Sequence, residues 1–532
     1  MSAISQNNTL KMFICRFGSG NRESAAVATG LLKDLIKAGH MSEDKLRLAI
    51  DGKKIWRGKE EVMKNSVKKF IARADNEKIK GLFFDGKLDK KTRVLRYDEE
   101  TSRYYPETIA EEHYSITWEP QGKYLWHYSP DRPDVGEKPA QKIAQKIYEW
   151  LMEHGFTEDL VLIRADSTST NTGTTGGAIH YLESLIGRKC HWDICMIHTN
   201  ELLLKHMIIK LDGPYIPKSG WTGPIGKLME KGGELDTNWN FTPFKDTASL
   251  VHLPDDIIDG LSTDQKTAYK HIQAVKSGIL SKEVANLKTG ELSTARWLTS
   301  GVALVTIWMS CHNLEGETLR KLEVLVRFCL EVYFILYFEI KVKHHISNGP
   351  AHILRTLELL RNQTEEVKNI ITSVVQRGAY HAHPENILSS MLTSDDARER
   401  SFAVEKILQV RNGNEEGDTS VRKHKTPKLN LGATSVRELI NWEGEKVFEP
   451  VFTTKMGIDE IKELVNTPLQ IPPFSLHTQS CERVVQEVSK ASTEVCGDSR
   501  RDGWVRARVA HREVMPVFAS KKDILAAKSL WE

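Results

Sequence analysis

The sequence predicts a mixed α/β core interrupted by an all-α block, and three features of its patterning predict it. Short apolar runs broken by Asp, Glu and Gly (GLFFDGK from residue 81, TRVLRY, HYSITWE) have the signature of strands. Beyond residue 139, strand-like and helix-like stretches alternate, which makes a mixed sheet with helices on its faces. From 300 to 465 the apolar spacing is helical throughout (TLRKLEVLVRFCLEVYFILYF, AHILRTLELLRNQTEEVKNIITSVV), with a polar gap at 411–428 that reads as a loop or linker.

Residues 1–78 read as helical, with Leu31, Leu32 and Leu35 following Ala25, Ala26 and Ala28. Between 52 and 93 there are 14 Lys or Arg against 6 Asp or Glu, a local excess of +8 that fits a solvated face or a phosphate-binding one. AQKIAQKIYEWLM puts Ile143, Ile147, Trp150 and Leu151 on one helical face. DLVLIRAD (159–166) reads as a buried strand ending at Asp166, followed by the polar turn STSTNTGTTGG. AIHYLESLIG is a helix stopped by Gly187, HWDICMIH (191–198) a strand, and NELLLKHMIIKL a helix capped by Asn200. The domain boundaries that follow are 1–78, 79–299, 300–469 and 470–532.

Composition bounds the function. At 532 residues, 40% hydrophobic and 27% charged, the chain is an ordinary globular protein of two or three domains. A net charge of only +3 announces no nucleic-acid partner, so any such claim rests on local patches. The 7 cysteines include no CxxC pair, which suggests a reducing, intracellular setting rather than a disulfide framework. No secretory leader is apparent, and the apolar run at 328–340 is too short to span a membrane and contains Glu331 and Glu339, so it is expected to be a buried helix.

Metal-assisted phosphodiester cleavage needs hard oxygen ligands a few ångströms apart, and carboxylates at strand ends provide them. Asp85 lies at the end of GLFFD and Asp166 at the end of LVLIRAD; a strand-terminal Asp is also a common turn residue. Spacing alone selects no third acid among 71.

Five segments, in order, resemble the hAT superfamily of cut-and-paste DNA transposases. FFDGK is similar to that family's first catalytic aspartate, and ADSTSTNTG to its second aspartate with the following turn. CMIH, Cys195 to His198, matches its CxxH signature. Arg296-Trp297 resembles the Arg-Trp element before its helical insertion, and SCERVVQ the motif carrying the third acid, here Glu482 with Cys481 before it. The resemblance implies a ribonuclease-H-like core, Asp85, Asp166 and Glu482 as catalytic ligands of Mg²⁺ or Mn²⁺, DNA as partner, a dimerisation-like segment in 470–532 and hence a homo-oligomer, and a nuclear location. It also implies DNA contacts from His198, Arg296 and Trp297. Cys195 and His198 lack the further ligands of a closed zinc site, so a buried structural role stands beside His198 orienting DNA or a carboxylate. Trp297 stacks on a flipped base or DNA end, or belongs to the core.

The 500–522 segment adds Arg500, Arg501, Arg506, Arg508, Arg512, Lys521 and Lys522 against Asp502 and Glu513, a surplus of +5 beside the proposed site. His381 and His383 offer two imidazoles without partners at ligand spacing and read as a loop feature. Only Cys15 precedes Cys190, so the family's usual amino-terminal zinc finger cannot be built from these residues. Two readings remain: an active metal-dependent transposase, or a domesticated DNA- or protein-binding descendant that keeps the fold.

Overall fold

Two stretches far apart in sequence build one folded unit, and the chain between them builds another. The computed structural model describes residues 14–15, 19–74, 79–130, 138–231, 241–247, 250–287, 290–292, 296–310, 314–413, 425–495 and 497–514. The first unit is Met1–Gly136 with Gln479–Glu532, and the second is Glu137–Thr478. In chain order the first begins with helices α1 (Asn21–Lys37) and α2 (Gly52–Ala74) and strands β1 (Gly81–Asp98), β2 (Arg103–Glu119) and β3 (Lys123–Tyr128). The second unit holds α3 (Pro139–Glu153), β4 (Leu162–Ala165), α4 (Ala178–Ile186), β5 (His191–Ile194), α5 (Met196–Leu211) and α6 (Thr263–Ser277). Its helical part follows: α7 (Leu298–Ser310), α8 (Gly316–Phe328), α9 (Phe334–Val342), α10 (Gly349–Arg361), α11 (Glu365–Arg377), α12 (Pro384–Leu392) and α13 (Ala397–Gly413). Helices α14 (Gln479–Glu494) and α15 (Asp498–Val514) return to the first unit.

In the first unit β1, β2 and β3 form an antiparallel meander. GLFFDGK and TRVLRY, expected as separate strands, are one strand. The polar Asp89-Lys90-Lys91 between them makes a slip in register rather than a turn, with Asp89 Oδ1 accepting the Lys91 N–H at 2.9 Å. The third strand is KYLWHY, which the sequence pattern did not mark. Apart from Thr92, burial is confined to the base of the hairpin. Leu82, Phe83 and Phe84 are buried there, whereas Leu95, Tyr97, Tyr104 and Tyr105 are exposed toward its tip.

In the second unit β4 and β5 pair in parallel, Leu162 opposite His191 through Ala165 opposite Ile194. Such strands are buried on both faces, and all eight residues here are. That includes a charged pair in register: Arg164 Nε donates to Asp193 Oδ2 at 2.5 Å, and both side chains are 0% exposed. The expected strand 191–198 stops at Ile194, and helix α5 begins at Met196. The apolar run hides the change because strand end and first helical turn are both buried. Asn200 is therefore no cap; its Nδ2 donates to the Tyr333 carbonyl at 3.0 Å. Helix α4 does end at Gly187, whose φ of 77° suits glycine. His381 and His383 lie in and just after a buried turn, not an open loop, with His381 Nε2 2.9 Å from the Ile194 carbonyl oxygen.

From Leu298 to Gly413 the named elements among the described residues are helical. The 328–340 run is buried, its helix widening to π geometry over Cys329–Tyr333. Its two acids are partnered, Glu331 by Arg327 at 2.9 Å and Glu339 by Arg355 at 3.2 Å. No described helix is long and apolar enough to cross a membrane.

The Arg164–Asp193 pair yields the first prediction. Removing one partner of a buried pair leaves the other charge uncompensated, at a cost of about 3–5 kcal/mol. Asp193→Ala should lower unfolding stability by that amount in urea titration, and an unchanged midpoint would show that the pair is dispensable.

Candidate active site

Of the three proposed catalytic acids, Asp85 and Glu482 belong to the first unit and Asp166 to the second. In the first unit, side chains of β2 alternate between faces. Tyr114, Ile116 and Trp118 take one face, and His113, Ser115, Thr117 and Glu119 the other. Helix α14 covers the second. Ser492 Oγ lies 2.9 Å from His113 Nε2, and Cys481 Sγ donates to Glu119 Oε1 at 3.0 Å. Thr117 Oγ1 is 3.3 Å from the same sulfur.

Asp85 pairs directly with Ser115, so it shares this face. Glu482 follows Cys481 on the covering helix. The buried α14 residues Cys481, Val484, Val488 and Ala491 define its inner stripe. Glu487 and Glu482 flank that stripe on opposite sides by helical periodicity. Glu487 meets Arg508 of α15, and half-buried Glu482 lies on the other flank. Glu119 is a further acid on this face, 3% exposed, which the motifs did not single out. Its signal was present: in HYSITWE every second residue is polar.

In the second unit Asp166 follows the last residue of β4. Its Oδ1 accepts from Thr168 N at 3.1 Å, Thr168 Oγ1 at 2.7 Å and Asn171 Nδ2 at 2.7 Å. Three donors on one oxygen fix the carboxylate's orientation and leave Oδ2 outside these bonds. The turn is tight: a Cβ on Gly177 would lie 2.4 Å from the Gly173 nitrogen. His198, in the first turn of α5, is held below the usual imidazole range by burial, with Arg296 and Lys205 adding to the effect and the Asp166 carboxylate opposing it. Arg296 Nη1 lies 3.7 Å from Glu201 Oε2. Asp166, His198, Glu201 and Arg296 therefore share one polar neighbourhood.

Two residues of the motif set are structural. Cys195 is 2% exposed, its Sγ 3.5 Å from Thr478 Oγ1. Trp297 is 5% exposed and packs edge-on against Trp221 at 5.9 Å between centroids, so it presents no ring face to a base.

The arginines of α15 need a correction as well. Arg501 is bonded to Glu111 at 3.1 Å and to Asp498 at 2.8 Å. Arg506 binds Asp502 and the Leu125 carbonyl, each at 2.8 Å, and stacks 3.6 Å over Phe70. Arg508 pairs with Glu487 and donates to the Cys15 carbonyl at 2.9 Å. All three are buried, so their charges hold the unit together rather than facing phosphates. Arg500 alone of the four is substantially exposed, and it pairs with Glu60 at 2.8 Å. The side chains of Arg512, Lys521 and Lys522 lie outside the described residues.

Hard carboxylate oxygens are the donors that Mg²⁺ or Mn²⁺ takes. Asp85 lies on that face and Glu482 on the helix that covers it, short of a full set. Among the described residues no group of three or more His, Cys, Asp or Glu is gathered to hold a metal ion.

No protein-family model matches the chain, and no curated protein matches it. Among solved structures it is similar to a chain of the Drosophila P element transposase strand transfer complex. The match covers 82% of this chain and 77% of that one, at 12% identity and a TM-score of 0.24. An overlap with that score carries no argument about fold or chemistry.

The first unit's polar interior generates two predictions. Glu487 is 0% exposed, so Arg508→Ala should destabilise the protein by about 3–5 kcal/mol in urea titration; a merely weakened DNA affinity at full stability would return Arg508 to the surface. His127 is held down to about 3, by burial first and then by His113, Arg501 and Arg506. The folded protein excludes a proton that the unfolded chain accepts near its ordinary value of 6.5. The neutral imidazole's contribution is thus complete above that value and is lost as pH falls toward 3, at up to about 1.4 kcal/mol per pH unit. Unfolding measured between about pH 7 and 5 should show a shallower decline for His127→Gln than for wild type. Parallel profiles would place the proton elsewhere.

Proposed function

We propose that the chain is a DNA-processing protein of the hAT transposase kind, working in the nucleus as a homo-oligomer, with Asp85, Asp166 and Glu482 as its catalytic acids. One observation carries this reading. Asp85 and the helix bearing Glu482, about 400 residues apart in sequence, share one face of one small sheet. The orientation of Asp166 by three donors supports it, since a carboxylate held in one rotamer is ready to take a cation without reorganising.

Mg²⁺ or Mn²⁺, held by these carboxylates, would supply charge neutralisation at the scissile phosphate. The chain's own part is to fix the acids and to hold DNA. His198, half-buried and held below the usual imidazole range, is suited to accept or donate a hydrogen bond beside Asp166. Arg296, about a third exposed, is the motif residue best placed to meet a phosphate.

Purified protein should nick supercoiled plasmid in Mg²⁺ or Mn²⁺ and not in EDTA. Asp166→Asn should cut nicking at least about 100-fold while DNA affinity stays the same or rises, because a negative charge near phosphate is gone. Asp85→Asn and Glu482→Gln should behave alike. Nicking retained in all three would move the chemistry elsewhere, and no metal-dependent nicking by the wild type would leave the DNA-binding descendant as the reading.

A further inference from the structure

We infer that Trp56 and the exposed cationic stripe of α2 form a platform for single-stranded DNA. This goes beyond the cleavage reading and does not depend on it. Helix α2 is two-faced. Ile55, Val62 and Met63 are buried, and Met63 lies against Gly503 of α15, where a Cβ would come within 2.9 Å of it. The helix is therefore seated rigidly in the first unit.

Its outward face carries Lys53, Arg57, Lys64 and Lys68, all exposed. At 100° per residue these four lie within one narrow stripe, and at 1.5 Å per residue they span roughly 22 Å. Glu61 is the sole exposed acid of α2 among the described residues. None of the four cations forms a salt bridge among the described residues, in contrast to the paired arginines of α15. Unpaired cations in a row are what a chain of phosphates requires.

At the amino-terminal end of the stripe stands Trp56, 46% exposed. Burial is the usual fate of so large an apolar ring, and the core gives no reason for its exposure. Arg500 lies over the indole at 5.8 Å, tethered by Glu60. Beside the ring opens a depression of about 570 Å³ lined by Asn21, Arg22, Asp51, Gly52, Lys53 and Trp56. Asp51 lies there too, its Oδ1 accepting the Lys54 N–H at 2.7 Å. A carboxylate at this end disfavours a phosphate, so the ring end suits a base and the stripe beyond it the backbone. A duplex keeps its bases stacked on one another. An unpaired strand offers a free π-face to the indole, which distinguishes the two ligands.

The test uses the full chain, a labelled 20-mer of thymidine and a 20-base-pair duplex, with anisotropy read at several salt concentrations. The single strand should bind more tightly, and it should quench tryptophan fluorescence. Trp56→Ala should weaken the single strand roughly 5- to 100-fold, the range for loss of one stacked base, and leave duplex binding unchanged. Trp56→Phe should keep most of the affinity. Lys64→Ala with Lys68→Ala should reduce the slope of log affinity against log salt by about 0.7 for each phosphate of the single strand that is no longer neutralised. Equal binding of the two ligands, or a Trp56→Ala protein that retains its melting temperature and its single-strand affinity, overturns the platform. Asp166→Asn serves as the separating control: it should bind the 20-mer as wild type does, so nicking that survives in it with binding unchanged strikes the cleavage reading alone.

Discussion

A strand with one polar face must find polar cover, and this requirement organises the first unit. On β2, His113, Ser115, Thr117 and Glu119 all point to the side that α14 covers, and each is at most 3% exposed. Left without partners, buried groups of this kind would each cost on the order of 1–3 kcal/mol. Helix α14 supplies Cys481 at one end and Ser492 at the other, with Val484, Val488 and Ala491 packing between. That complementarity fixes the helix's position along the strand, and with it the position of Glu482. The placement of the proposed third acid is thus a by-product of satisfying a buried polar stripe.

The same economy governs α15. A helix with several arginines near a proposed DNA site invites an electrostatic reading, but packing turns most of that charge inward. Arg501 meets Glu111 of β2, Arg506 stacks on Phe70 of α2, and Arg508 reaches Glu487 of α14. Each guanidinium bridges elements distant in sequence, as a planar group with five donors can. Charge counts along a sequence do not separate such internal rivets from a phosphate-binding face. Pairing does, and by that criterion the available charge lies on α2.

Much of the secondary structure was legible because period and punctuation agreed. The face of α3 through Ile143, Ile147 and Trp150, the stop at Gly187 and the partnered acids of the 328–340 helix all follow local rules. What failed did so for physical reasons. The polar Asp89-Lys90-Lys91 looked like a turn because a slip in register and a turn use the same residues. HWDICMIH ran past its strand because a buried strand end and a buried helix start are equally apolar. The site was half legible. Asp85 and Asp166 are strand-linked acids that pattern reading can find, whereas Glu482 and Trp297 came from resemblance, and burial assigns Trp297 to the core. Glu119 was missed although alternation marked it, since a polar stripe on a strand reads by default as its solvent face.

That default inverts wherever a distant helix returns to cover a sheet. On β2 the polar stripe is the covered face, and on α2 the cationic stripe is the open one, though sequence alone presents both as ordinary amphipathic patterns. The difference lies in partner chemistry. Hydroxyl, imidazole and thiol groups satisfy one another across a close contact without net charge, so they can be buried together. A row of like-charged ammonium and guanidinium groups cannot be buried without an equal row of acids, and α2 has too few. Uncharged polar stripes therefore suggest internal cover, and unbalanced charged ones external partners. For this chain the rule separates the face that positions Glu482 from the face suited to a polyanion, although the net charge of +3 suggests neither.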